Sequence, residues 1–116
     1  MPTLAMALLK GAASGPEVVE YLTRIDATLA PFGGRYLVHG GPIERVEGDW
    51  SGDPVIIAFP DRASARGWYD SPAYRAIRPL RTGTITGDVI FVDTVPEDHR
   101  ATDILAAAGH PPGGGA

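Results

Sequence analysis

The chain contains no cysteine among its 116 residues. This absence excludes disulfide bonds, thiolate nucleophiles, and zinc or iron–sulfur sites with cysteine ligands. Basic residues are in the minority: 10 Lys and Arg stand against 14 Asp and Glu, which gives a formal net charge of −4. Such a chain lacks the dense basic face that nucleic acids require, and an anionic membrane surface does not attract it. We therefore expect neither nucleic acid nor membrane as a partner.

Long apolar runs are also missing. None approaches the roughly 18 residues of a membrane-spanning helix, and Met1-Pro2-Thr3 begins no secretory signal. These features predict a cytoplasmic protein. The length fits one domain, which we place at residues 1–95. Residues 96–116 carry Pro and Gly at both ends and are expected to form a flexible C-terminal tail.

Four segments have the length and apolar content of strands: residues 3–10, 35–46, 54–59 and 88–95. The second is interrupted by Gly40-Gly41-Pro42, which indicates a bulge or a bend. A helix is predicted between the first two strands, because Ser14 and Glu17 have the spacing of a capping box. Its apolar stripe follows at steps of three and four residues, and Gly33-Gly34 is expected to end it. The stripe consists of Val18, Leu22, Ile25, Leu29 and Phe32.

A second helical region follows the third strand. Asp61 is placed to cap a short helix that reaches Tyr69, and Ser71-Pro72 starts another, which Pro79 should end or kink. The resulting order is β-α-β-β-α-β. It predicts an α+β, ferredoxin-like fold, with a four-stranded antiparallel sheet and its helices on one face.

The strands predict a homodimer as well. The strands of a sheet with one solvent-exposed face show alternating apolar and polar residues. Here, however, Val55 and Ile57 alternate with Ile56 and Ala58, which are also apolar. Helices on one face would leave the other apolar face in water, which soluble monomers rarely tolerate. A second copy packed on that sheet face is the simplest cover. The alternative is that the C-terminal tail folds back over it.

A set of short motifs lies between roughly residues 20 and 95. It consists of Gly33-Gly34, Tyr36, Gly40-Gly41, Glu47-Gly48-Asp49-Trp50, Phe59-Pro60, Ala65, Trp68-Tyr69, Ser71, Tyr74 and Arg81. In their order and spacing these motifs together resemble the family of the domain of unknown function 1330. The resemblance implies the dimeric α/β-barrel superfamily, in which two ferredoxin-like sheets pack face to face. That superfamily includes isomerases, cofactor-free monooxygenases, polyketide cyclases, haem-handling proteins and non-catalytic members.

The candidate catalytic residues are His39, Asp49, Tyr74 and Arg81. Tyr74 and Arg81 would share one helix side with Arg78, where a hydroxyl and guanidinium groups could hold a carboxylate or enolate. His39, beside the glycine bend, and Asp49, in the following turn, could move a proton. Each has a structural alternative: solvated helix arginines, an edge histidine and a turn aspartate.

The candidate substrate-binding residues are Trp50, Trp68, Tyr69 and Arg78, whose aromatic members could wall an apolar pocket. Trp68 could equally be a core anchor. Asp93, among apolar neighbours, is a further candidate acid if it faces inward, and an exposed strand-end residue if it does not.

Three functions remain open. The first is a cofactor-independent isomerase or cyclase acting on an enolisable aromatic or polyketide-like metabolite. The second is a non-catalytic metabolite-binding or assembly module of the same fold, and the third is a haem-handling protein that uses His39. We expect no cofactor and no metal, because a lone histidine without nearby ligands is a poor metal site. The glycine-rich segment 11–15 lacks the Lys-Ser/Thr pair of a phosphate loop.

Overall fold

A computed structural model describes residues 1–11 and 15–107. The predicted β-α-β-β-α-β order is confirmed, with the second helix divided in two and a short fourth helix near the C-terminus. The proposed cap Ser14 and residues 108–116 lie outside the described residues. The elements are β1 (Thr3–Lys10), α1 (Pro16–Leu29), β2 (Arg35–His39), β3 (Asp53–Phe59), α2 (Arg62–Asp70), α3 (Pro72–Thr82), β4 (Thr86–Asp93) and α4 (Asp103–Ala107).

The four strands form one antiparallel sheet in the order β2-β3-β1-β4. Ala5 pairs with Ile57 on one side and with Phe91 on the other, so these three side chains share one face. Helices α1, α2 and α3 cover that face, which we call the helix-side face. The fold is thus the predicted ferredoxin-like α+β arrangement.

The core lies between the helix-side face and the helices, and it is rich in aromatic rings. Trp68 is 3% exposed; its ring centroid lies 4.1 Å from that of Tyr74 and 5.4 Å from that of Phe59. Its indole Nε1 donates to Thr28 Oγ1 at 3.0 Å, so the buried polar atom is paired. Gly34 permits this packing, because a Cβ there would lie 2.8 Å from the Phe59 ring.

The two parts of the second helical region are capped as predicted. The Asp61 carboxylate accepts from the Ser64 backbone N–H at 2.7 Å, and the Ser71 hydroxyl accepts from the Tyr74 N–H at 3.2 Å. Pro79, however, does not end α3, which continues to Thr82. Only one turn remains after this proline, so the missing N–H weakens the last turn of α3 without preventing it.

The second predicted strand was too long. β2 ends at His39, and residues 40–52 form a loop that we call the β2–β3 arm. Gly40 has a positive φ of 60° and Pro42 has no N–H to donate, which together stop the ladder. The arm exposes apolar side chains, among them Ile43, Val46 and Trp50.

Among the described residues, no helix covers the opposite face of the sheet, which we call the helix-free face. Ile90 is 55% exposed, and Leu37 and Val92 are also exposed, so the described part of the tail, residues 96–107, does not cover this face. That tail is not wholly irregular, because α4 lies in it. Within residues 1–11 and 15–107, no helix is long and apolar enough to cross a membrane.

Candidate functional site

A cavity of about 250 Å³ lies between the helix-side face of the sheet and helices α1 and α3. Its floor is apolar and comes from β1, β3 and β4, whereas aromatic and charged side chains supply most of its polar atoms. Apolar pockets with a few convergent polar groups are the usual form of small-molecule sites. The floor residues are Ala5, Ala7, Leu9, Val55, Ile57 and Val89.

Two tyrosines and one arginine form the polar inner wall. The Tyr21 hydroxyl on α1 and the Tyr74 hydroxyl on α3 are 2.8 Å apart, and both residues are buried. Burial, with the neighbouring Tyr74 hydroxyl, raises the pKa of Tyr21 well above its ordinary value. Because one phenol must donate to the other, one O–H of the pair remains available to a ligand.

Arg81 completes this wall near the C-terminus of α3 and is 7% exposed. Burial lowers its pKa, but the phenol oxygens of Tyr74 and Tyr21 more than compensate and raise it overall. The guanidinium therefore stays charged at any physiological pH. Within residues 1–11 and 15–107, no carboxylate lies within ion-pair distance of it. A buried cation without a carboxylate partner attracts an anionic ligand.

A β-bulge in β2 brings two rings to the cavity. Tyr36 pairs with Ile57, but Val38 already pairs with Ile56, so Leu37 is an extra residue in the strand. As a result Tyr36 and His39, three positions apart, both lie on the helix-side face. Their rings stack with centroids 4.4 Å apart and an interplanar angle of 13°.

The rim of the cavity is exposed and includes His39, Gly40 and Asp53. His39 pairs with Val55, and Asp53 lies two residues earlier on the same strand face. Diagonal neighbours of this kind lie within reach of one another across a sheet. The cavity thus has a buried cationic wall and a rim that carries an imidazole and a carboxylate.

The structure brings five of the eight predicted site residues to this cavity: His39, Trp68, Tyr69, Tyr74 and Arg81. It does not bring the other three there. Asp49 and Trp50 lie in the β2–β3 arm, where Trp50 borders a separate groove with Ile43 and Arg45. Arg78 packs on Tyr69 from outside, with its guanidinium carbon 4.7 Å from the ring centroid.

Three cavity residues with polar side chains, Tyr21, Tyr36 and Asp53, are not among the predicted site residues. Tyr21 could have been found from its position between Val18 and Ile25 on the buried side of α1. Asp93, the further candidate acid, is exposed, and its pKa is lowered by hydrogen bonds from Thr3 and Arg62. In the described part of the chain, no three His, Asp or Glu side chains gather as a metal site would require.

The sequence profile of the domain of unknown function 1330 matches residues 6–95. The chain belongs to this family. Comparison with the curated proteins gives no match.

Solved structures with a similar fold have low sequence identity to this chain. A protein of unknown function from Rhodopseudomonas palustris is 20% identical, with 82% of this chain and 83% of that chain covered and a TM-score of 0.63. A dimeric ferredoxin-like protein of unknown function from Jannaschia sp. CCS1 is 13% identical, with 81% and 100% covered and a TM-score of 0.61. SnoaB, a cofactor-independent oxygenase from Streptomyces nogalater, is 15% identical, with 85% and 96% covered and a TM-score of 0.51. At these identities the likeness establishes the fold alone.

Because Tyr36 is half-buried, the pH dependence of the free energy of unfolding can be predicted and tested. Burial, assisted by Asp26 and Tyr74, raises the pKa of Tyr36 to about 12, whereas an unfolded tyrosine ionises near pH 10. Below pH 10 the phenol is protonated in both states. Above it the unfolded chain releases the proton first, so we expect the free energy of unfolding to fall between pH 10 and 12.

Urea unfolding of the wild type and of Tyr36→Phe at pH 8, 10, 11 and 12 measures this effect. The variant should lose less stability over the alkaline range, because it lacks one of the buried phenols. Parallel curves for the two proteins would contradict the prediction.

Proposed function

We propose that this protein binds a small organic anion with an apolar, preferably aromatic, body in the cavity between sheet and helices. The observation that carries the proposal is Arg81, a buried guanidinium that lines the cavity and has no carboxylate partner in the part of the chain that the structure describes. The group beside it should accept hydrogen bonds and carry negative charge, because the Arg81 guanidinium is charged and has only donors, and the free phenol O–H can donate as well. A carboxylate or an enolate oxygen fits this requirement.

We further propose cofactor-independent isomerase or cyclase chemistry on an enolisable aromatic or polyketide-like metabolite. His39 would take a proton from the carbon next to a carbonyl group, and the electron pair of that C–H bond would move to the carbonyl oxygen. Arg81 and the tyrosine pair would stabilise the enolate. Return of the proton to another carbon gives an isomer, while attack of the enolate on a second carbonyl closes a ring. The similarity to SnoaB supports the proposal only in that the fold can host cofactor-free chemistry.

The non-catalytic metabolite-binding or assembly module remains the alternative. A site filled by its own aromatic rings would favour it, but a cavity of about 250 Å³ remains beside Trp68 and Tyr69. The haem-handling alternative fits less well. Pockets for drug-sized ligands begin at about 300 Å³, and a porphyrin is larger than such ligands.

Binding tests the first part of the proposal. Isothermal titration with phenylpyruvate, an enolisable aromatic acid, should show one site per chain. Arg81→Gln should weaken it by about 10- to 100-fold, since a hydrogen bond to a charged group contributes about 1.5–3 kcal/mol. Arg78→Gln, which removes a guanidinium outside the cavity, is the matched control and should bind normally. Equal affinity in all three proteins would refute the proposed anchor.

Deuterium exchange at the methylene of the same probe tests the second part. In D₂O the wild type should accelerate exchange about tenfold or more over buffer, at the low end of typical general-base effects. His39→Gln should bind the probe but lose the acceleration. Binding without acceleration by the wild type would favour the non-catalytic module.

We also propose that two copies pair through their helix-free faces. Met6 lies at the centre of this face, between Ile56 and Ile90 across the two ladders. An apolar surface that runs across all four strands is more than soluble monomers usually expose. In a two-fold pair, this surface would pack against the same surface of the second copy and would be removed from water.

A further inference from the structure

Asp53 occupies a fixed position on the rim of the cavity. It is the first residue of β3, pairs with Leu9 of β1, and lies on the helix-side face together with Val55 and Ile57. The preceding Gly52 has a φ of 102°, and a Cβ at that position would lie 2.9 Å from the Leu9 carbonyl oxygen. The chain therefore enters β3 along a path open only to glycine. This constraint fixes the backbone that carries the Asp53 carboxylate.

The second support of this position comes from the neighbouring strand end. The Gly40 N–H donates to the Pro54 carbonyl oxygen at 2.9 Å, which ties the base of the β2–β3 arm to the start of β3. Both Gly40 and Asp53 line the cavity. Asp53 therefore lies at a strand end that this hydrogen bond holds in place, and not in the middle of a loop.

The Asp53 carboxylate has no ion-pair partner among residues 1–11 and 15–107. Lys10 lies close to Gly52, but it alternates onto the helix-free face, because Thr3, Ala5, Ala7 and Leu9 share the helix side. The Lys10 side chain therefore leaves the strand on the face opposite to that of Asp53. A ligand that enters the cavity passes an exposed anion before it reaches the buried cation of Arg81.

We propose that Asp53 makes the cavity selective for monoanions whose outer end carries a hydrogen-bond donor, such as a hydroxyl or amino group. The inference rests on the proposed function, because Arg81 must hold the anionic end inside. A donor at the outer end would pair with the rim carboxylate. A second carboxylate there would meet Asp53 with like charge, so dicarboxylates of the same shape would be rejected. The ligand class is a compact hydroxylated or aminated aromatic monocarboxylate.

The experiment uses three para-substituted sets of aromatic acids: benzoates, phenylacetates and 3-phenylpropanoates. Each set contains the unsubstituted, the hydroxylated and the carboxylated compound, so the three chain lengths cover different spans between inner wall and rim. Titration calorimetry on the wild type should show, in at least one set, that the hydroxylated acid binds about three- to tenfold more tightly than the unsubstituted acid. This ratio is what we expect from a charge-assisted hydrogen bond that is weakened by solvent exposure. The carboxylated acid of that set should bind at least tenfold more weakly than the hydroxylated acid.

Asp53→Asn removes the charge and preserves the shape of the side chain. We expect the ratio between the dissociation constants of the carboxylated and hydroxylated acids to fall at least tenfold, because the asparagine amide can donate to a carboxylate. Glu47→Gln is the matched control: it removes one negative charge from the β2–β3 arm at a residue outside the cavity. It should leave the ratio unchanged.

The outcomes separate this inference from the proposed function. If the acids bind and depend on Arg81, but the ratio is the same in the wild type and Asp53→Asn, the selectivity of Asp53 is refuted and the anion site stands. An equal fall of the ratio in Asp53→Asn and in Glu47→Gln also refutes it, because the effect would then come from the loss of a negative charge at any position. If no acid of the three sets binds the wild type, the anion site fails and this inference fails with it.

Discussion

Trp68→Ala is expected to lower the free energy of unfolding by about 3–5 kcal/mol, the usual loss for a buried large aromatic residue. The indole is in contact with the rings of Phe59 and Tyr74, and its truncation would enlarge the existing cavity into the centre of the core. The substitution would also remove the hydrogen bond that the Thr28 hydroxyl now accepts from the indole N–H. Urea unfolding at neutral pH, followed by circular dichroism, measures the loss.

The chain contains its own control for this experiment. Trp50 is 48% exposed in the β2–β3 arm, so Trp50→Ala should change the free energy of unfolding by no more than about 0.5 kcal/mol. The same chemical truncation is thus compared at a buried and an exposed site. A loss below about 1 kcal/mol for Trp68→Ala would show that this ring does not support the core.

Ile90→Glu is expected to dissociate the proposed dimer, with a rise of about 100-fold or more in the dimer dissociation constant. In the single chain this side chain is exposed, so a glutamate there should leave the protomer folded. In a two-fold pair it would instead bury one unpaired carboxylate from each copy, and each such charge costs several kcal/mol. Sedimentation equilibrium of the wild type and the variant over a concentration series measures the two constants.

Val19→Glu provides the matched control, because this valine is similarly exposed but lies on the outer side of α1. It should leave the association unchanged. A wild type that sediments as a monomer at high concentration would contradict the proposal directly. Equal dissociation by both substitutions would place the contact elsewhere on the molecule.

The parts of the fold that could be predicted from sequence are those that depend on local pattern. The caps Asp61 and Ser71 act within a few residues, so the chain itself carries the signal. The apolar stripe of α1 is also local, and its members Val18, Ile25 and Leu29 are buried. Leu22 of the predicted stripe is exposed, however, and Tyr21 is buried instead. The predicted strand through residue 46 failed for the opposite reason. Residues 43–46 have strand-like composition, but β3 begins at Asp53, only two residues before the partner of His39, and so does not extend far enough to pair with them.

The site was predictable only in part, because a cavity is a property of packing between distant segments. His39 was predicted from residue type and its place beside the glycine bend, and Tyr74 and Arg81 from their spacing together with the family resemblance. Asp53 is not among the predicted site residues, since nothing local indicates that its strand begins at a cavity rim. Tyr36 was noted only as a family motif, because its orientation depends on a register shift that appears only when β2 meets β3.

The bulge at Leu37 has a consequence for how this protein can evolve. Side chains alternate along a strand, so a regular strand of the same length would place Tyr36 and His39 on opposite faces of the sheet. The extra residue Leu37 is what returns the imidazole to the cavity. Loss of this residue would leave the two rings two positions apart and still on one face. A variant that paired β2 with β3 without the bulge, at unchanged chain length, would instead present the imidazole to a neighbouring molecule.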